Sequence, residues 1–225
     1  MPTKDVQRFA REEITGAELV AAYPQCACEL TEPFDGGHGP VSDDEHLTFF
    51  VESKRHFDLT KIEGRKKQSW APKGSDLRNA TTGHGHSVYR TKYASPDELR
   101  QAAQAGFRSA VGLTNDPWRG VVGAFTFPVA SVRLAPYGDC GQMCVVDTPK
   151  LANEGAGKTS EPSHADLLWS DARKGGDDAF IARRRVFEDG IRASLAGAGS
   201  FEFLKDFDGA DLTDYLPDNL KPKNN

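Results

Sequence analysis

Two short runs place imidazoles and a carboxylate at a spacing that can hold a metal ion. In His84-Gly85-His86 and in His164-Ala165-Asp166 the reactive side chains are alternate residues. Alternate residues of an extended chain share a face, so each pair presents both of its side chains together. Three histidines and one carboxylate make a donor set suited to zinc or iron, and a divalent metal held there points to a metal-dependent hydrolase. Nothing in the spacing makes the two pairs meet. Read separately, the first is a histidine pair in a Gly-rich turn, and the second caps or hydrogen-bonds near Pro162.

The cysteines offer a rival site. Cys26-Ala-Cys28 and Cys140-Gly-Gln-Met-Cys144 together supply four thiols, the number a closed structural zinc site needs. Neither spacing is the two-residue gap of strong zinc motifs, and Cys144 opens an apolar run where a buried thiol is ordinary. A third pattern is a loose phosphate loop, Ala152 to Thr159 (ANEGAGKT), with Lys158 set for phosphate and Thr159 for magnesium. Pro162 falls in the first turns of the helix such a loop requires, so a Gly-rich loop with a solvated lysine competes with it.

Punctuation and periodicity define the elements that carry these groups. Thr15-Gly-Ala-Glu18 is a capping box opening a short helix that Pro24 ends. His46 to Val51 is a strand, and Ser87 to Thr91 is a second. Ser95 caps a helix with Pro96 at its first position, and Gly106 ends it. Val121–Phe127, Val129–Leu134 and Cys144–Asp147 read as strands, with Pro128 a bend between the first two. Residues 148–163 form a long loop, and His164–Trp169 fits strand or helix equally. Asp177 to Leu195 is a long helix with Phe180, Ile181, Val186, Phe187, Ile191 and Leu195 on its apolar side. Trp70 is the one core candidate in the polar stretch 60–86.

This order lacks regular βαβ alternation, so the fold class is α+β. The expected architecture is a single domain over residues 1–200, a mixed or antiparallel sheet flanked by a few helices. Residues 201–225 mix acids with Phe, Leu and Tyr and read as a segment docked on the domain or on a partner.

A chain of 225 residues with 38% hydrophobic and 27% charged residues can bury a core without staples. The net charge of -5 argues against a dedicated nucleic-acid binder, since phosphate neutralisation supplies most of that affinity. The clusters at 64–67 and 183–185 are local, and consecutive arginines on a helix diverge. No run of apolar residues is long enough to span a membrane. Residues 1–16 carry no apolar core of a secretory signal, which leads to the expectation of a cytoplasmic compartment and free thiols. The sequence leaves the oligomeric state open.

Val88-Tyr89-Arg90, Ser95-Pro96-Asp97-Glu98-Leu99 and Ala105-Gly106-Phe107 resemble the opening of mono-ADP-ribosyltransferase toxins of the cholera and pertussis kind. The resemblance implies NAD as cofactor and Arg90 as the catalytic-site residue that braces it. The matching late glutamate pair is missing, with Glu202 the only late glutamate after the long helix. The longer run from Trp70 to Trp169 resembles a group of small bacterial proteins with no attached activity, ending in their Pro-x-His-Ala at His164. The functional expectation is a bacterial cytoplasmic accessory or interaction protein with a protein partner at the C-terminal segment. An NAD-using mono-ADP-ribosyltransferase and a metal-dependent hydrolase stand as its alternatives.

Overall fold

The structure, a computed structural model, describes residues 2–52, 77–99, 101–102, 121–133, 140–152, 160–171 and 177–203. In chain order the elements are α1 (Thr3–Ala10), α2 (Gly16–Ala22), a 3₁₀ helix (Pro24–Glu29), β1 (His46–Glu52), α3 (Arg78–Thr82), β2 (His86–Arg90), β3 (Val121–Pro128), α4 (Ala130–Arg133), β4 (Met143–Asp147), β5 (His164–Trp169), α5 (Asp178–Ala198) and β6 (Ser200–Phe203). Among the described residues six strands form one antiparallel sheet in the order β4-β5-β2-β1-β3-β6. The α+β expectation holds, and of the two sheet types expected it is the antiparallel one. No helix among the described residues is long and apolar enough to cross a membrane.

Local chemistry accounts for the elements read from sequence. At α2 the Thr15 hydroxyl accepts from the Glu18 amide at 3.2 Å, and the Glu18 carboxylate accepts from the Thr15 amide at 2.7 Å, which satisfies two donors that the helix itself cannot. The Asp177 side chain accepts from the Phe180 amide and opens α5. Phe180, Phe187, Ile191 and Leu195 are its buried stripe, while Val186 points to solvent at 60% exposure. All six residues of β5 are buried. A strand covered on both faces has no period of two, which is why its type was open in the sequence.

Register assigns the two faces. Arg90 pairs with Leu47 and Leu47 with Phe127, so these share one face. His86 pairs with Leu167 and Leu167 with Val145 on that same face. There Trp169 lies against Phe180 and Phe187 of α5, with ring centroids 5.7 and 4.8 Å apart. Tyr89 pairs with His164 and Ser87 with Asp166, and these four lie on the opposite face. That face is covered by α1, α2 and the 3₁₀ helix. A Cβ on Gly16 of α2 would sit 2.5 Å from Leu168 and 2.6 Å from the Gly83 carbonyl, so only glycine lets α2 lie this close.

Two sequence expectations are corrected. Residues 130–133 are a helical turn, not the strand expected over Val129–Leu134. The turn buries Val132 and brings Arg133 to Glu29 at 2.9 Å and Asp43 at 2.8 Å, contacts that outweigh the β-propensity of the two valines. The four cysteines are not all thiols: Cys26 and Cys144 form a disulfide that ties the 3₁₀ helix to β4, while Cys28 and Cys140 are free and buried. This bond also removes the four-thiol zinc set. Residues 200–203 pair with β3 as the edge strand β6. Trp70, the cluster at 64–67, residues 103–107, the core of the loose phosphate loop at 153–159 and the segment 204–225 lie outside the described residues.

Candidate functional site

Arg90 shows what a completed polar site looks like. It ends β2 and is fully buried. Its Nε and Nη2 donate to the two Glu45 carboxylate oxygens at 2.9 and 2.7 Å. Its Nη1 donates to Asp147 at 2.8 Å and to the Gly39 carbonyl at 2.7 Å, and Nη2 reaches the Pro40 carbonyl at 3.3 Å. Those five bonds use all five guanidinium N–H groups. The second Asp147 oxygen accepts from the amides of His38 and Gly39, each at 2.9 Å. The guanidinium also sits 4.6 Å from the centre of the Tyr93 ring. Burial pulls the Arg90 pKa down, but the bonds to Glu45 and Asp147 outweigh it and hold the charge. Arg90 therefore clamps the 38–45 loop to the sheet and has no donor left to brace NAD, which corrects the catalytic role implied for it.

The opposite face carries an open site. A cleft of about 490 Å³ lies between this face and the first two helices, with Phe9, Glu12, Thr15, His84, Ser87, Thr148, Lys150, His164 and Asp166 among its walls. Its floor is the alternation of β5, which puts His164 and Asp166 side by side. The segment is fixed from behind. Ser163 donates its amide and hydroxyl to Glu98 at 3.0 and 2.8 Å, and its carbonyl accepts from the Arg90 amide at 2.8 Å. Residues 96–99 are helical and Ser95 caps them, as the sequence reads.

His164 is held by Thr148. Its Nδ1 lies 2.8 Å from the Thr148 carbonyl and 3.1 Å from the Thr148 hydroxyl. A carbonyl only accepts, so Nδ1 carries the proton and Nε2 carries the lone pair. The Thr148 hydroxyl donates onward to Asp166 at 2.9 Å, making a chain from imidazole to hydroxyl to carboxyl. The His164 and Asp166 side chains are 4.0 Å apart. Burial, and then the positive charge of Lys150, push the His164 pKa well below the ordinary imidazole value, so the ring is neutral. Burial pushes the Asp166 carboxyl up to about 6 against the opposing pull of Lys150 and Thr148. The His164 Nε2 is buried and has no hydrogen-bond partner among the described residues. Buried polar atoms are almost always satisfied, so an orphan against a cleft marks a place where a ligand belongs.

The four sequence-selected residues do not converge. His84, His164 and Asp166 all line the cleft, but His86 lies on the other face beside Phe49, with ring centroids 4.7 Å apart. Gly85 is the cause. Its φ of +77 breaks the extended run, so alternate residues no longer share a face. A Cβ there would come within 2.9 Å of Asp166 and 3.0 Å of Phe9, so this glycine also shapes the cleft. Among the described residues the only three metal-type donors lying within 4.8 Å of one another are Cys26, Glu29 and Cys144, and two of those share the disulfide. The geometry of His84, His86, His164 and Asp166 therefore corrects the four-ligand metal expectation.

Thr148 and Lys150 were not singled out in the sequence, because each lies more than a dozen residues from the histidine it acts on. Glu161 was missed too. It accepts from the Tyr89 hydroxyl at 3.0 Å and lies 3.8 Å from Lys150. No protein-family model, no curated protein and no solved structure matches this chain.

Proposed function

We propose that the chain is an acid–base enzyme acting on a small polar molecule bound in the cleft between the sheet and its first two helices. The observation that carries this is the orphaned Nε2 of His164, a neutral acceptor with its tautomer fixed from the other side. In this reading Nε2 takes a proton from substrate or water. The positive charge that develops on the ring is then met through Thr148 by the Asp166 carboxylate. That assignment needs Asp166 ionised, so activity is present above about pH 6 and lost as the pH falls through that value. No step requires a metal, although His84, His164 and Asp166 line the same cleft.

The accessory-protein expectation rested on residues 201–225, of which only 201–203 are described, as strand. The transferase expectation rested on Arg90, whose donors are spent. The Cys26–Cys144 bridge favours an oxidising compartment over the cytoplasm, because glutathione and thioredoxin keep cytosolic thiols reduced. Quenching cells in acid and alkylating the denatured protein tests that placement: two modified cysteines support it and four contradict it.

The activity is tested with a panel of small esters, amides and phosphoesters, comparing the natural chain with His164→Gln. One class is expected to turn over, with a loss of about 100-fold or more in the variant, the usual worth of a positioned general base. Turnover indifferent to the substitution, or none on any class, would contradict the reading.

A further inference from the structure

The charges around the orphaned imidazole point to one kind of ligand. Among the described residues Glu12, Glu13 and Glu18 line the cleft with Asp166, against a single lysine, Lys150. Some of this charge is already committed. Glu13 lies 3.8 Å from Arg8, Glu18 closes the cap of α2, and Lys150 lies 3.8 Å from Glu161. Glu12 makes no ion pair among the described residues, and it stands at the cleft in a left-handed backbone with φ 61. The uncompensated charge is therefore negative. The second observation is independent of it: His164 is fully buried, walls the same cleft, and offers at Nε2 only a lone pair. An anion would meet both carboxylate repulsion and a second acceptor. A ligand with a positively charged N–H group satisfies both features, donating to Nε2 while its charge faces Glu12 and Asp166.

We propose that the cleft takes a small organic cation, a primary amine or a guanidine, whose N–H donates to Nε2 of His164. This rests on the acid–base reading of the same cleft and adds the substrate class. Coulomb attraction of this kind is screened by salt, so binding weakens as ionic strength rises.

The test follows the His164 ring nitrogens by NMR in the full chain at pH 7, titrating putrescine, methylguanidine, acetate and phosphate separately. The expected result is that one of the two cations shifts the Nε2 resonance saturably. Glu12→Gln should then weaken that binding by about two- to fivefold, the worth of one exposed ion pair. His164→Gln, with binding read by calorimetry, should weaken it further while the fold is retained by circular dichroism. If acetate or phosphate moves Nε2 and the cations do not, the cation assignment is overturned while the acid–base reading stands. If no probe moves Nε2, both are overturned. If a cation binds but leaves Nε2 unmoved and ignores Glu12→Gln, its binding is elsewhere and the proposal fails.

Discussion

The two faces of the β2–β5 ladder hold one buried polar cluster each, and they are built to opposite ends. On one face Arg90 spends all its donors on Glu45, Asp147 and two loop carbonyls. On the other, His164 spends one ring nitrogen and leaves the second without a partner among the described residues, beside a carboxyl whose pKa is raised to about 6. Arg90 and Tyr89 are neighbours in sequence, and Tyr89 pairs with His164, so the contrast is made within one strand pair. Both clusters lie out of water, so burial does not distinguish them. Satisfaction does. A closed network stabilises and rigidifies, while an open one costs stability that something else must recover, here a ligand.

The sharpest way to break the contrast is to remove a partner from each side. Arg90→Met leaves Glu45 and Asp147 buried without their cation and should cost about 3–5 kcal/mol in urea unfolding. His164→Gln breaks one neutral interaction and should cost only about 1–2 kcal/mol. Equal costs would erase the distinction between clamp and site.

The bridge of Cys26 to Cys144 tests whether the cleft face is held by its own staple. Replacing both with alanine should cost about 2–4 kcal/mol, since the bond closes a loop across 118 residues of sequence. Thermal unfolding with and without reductant reads the same quantity in the natural chain. The free Cys28 thiol, pushed up to about 12 by burial and the nearby Glu29 carboxylate, should stay unreactive to alkylation near neutral pH.

Asp166→Asn gives the opposite sign to Arg90→Met. The folded carboxyl holds its proton more tightly than an unfolded one, so the natural chain gains stability from it below about pH 4 and loses that gain as the pH rises through about 6. The asparagine variant should therefore be more stable at pH 7 by roughly 3 kcal/mol, with the advantage vanishing in acid. It should also be inactive if the proposed chemistry holds. A substitution that stabilises the fold and abolishes function is the signature of an open site. The smallest effect belongs to Gly85→Ala, about 1 kcal/mol for a side chain forced into positive φ, with a displaced Asp166 read as a changed pH profile.

How much of this the sequence disclosed depends on the range of the interaction. The capping box at Thr15 and Glu18, the Asp177 cap and most strands are local and were legible. Helix α1 was not, because it is only eight residues long, lacks a side-chain cap at its start and buries only Val6 and Phe9. The turn at 130–133 was misread because its contacts, Glu29 and Asp43, are remote in sequence. For the same reason the Arg90 clamp was hidden, its carboxylates lying 45 and 57 residues away. Of the candidate site, the pairing of His164 with Asp166 on one face was legible from alternation alone. The divergence of His84 from His86 was not, since it turns on the conformation of Gly85, which a glycine permits without announcing.

The central claim is that His164 stands neutral with its Nε2 lone pair open. Nitrogen-15 NMR of the ring across pH 5 to 8 tests it directly. The expected result is a protonated Nδ1 and an unprotonated Nε2 that persist below about pH 6.5, where an ordinary histidine takes up its second proton. An Nε2-protonated tautomer, or a titration at the ordinary imidazole value, would contradict it.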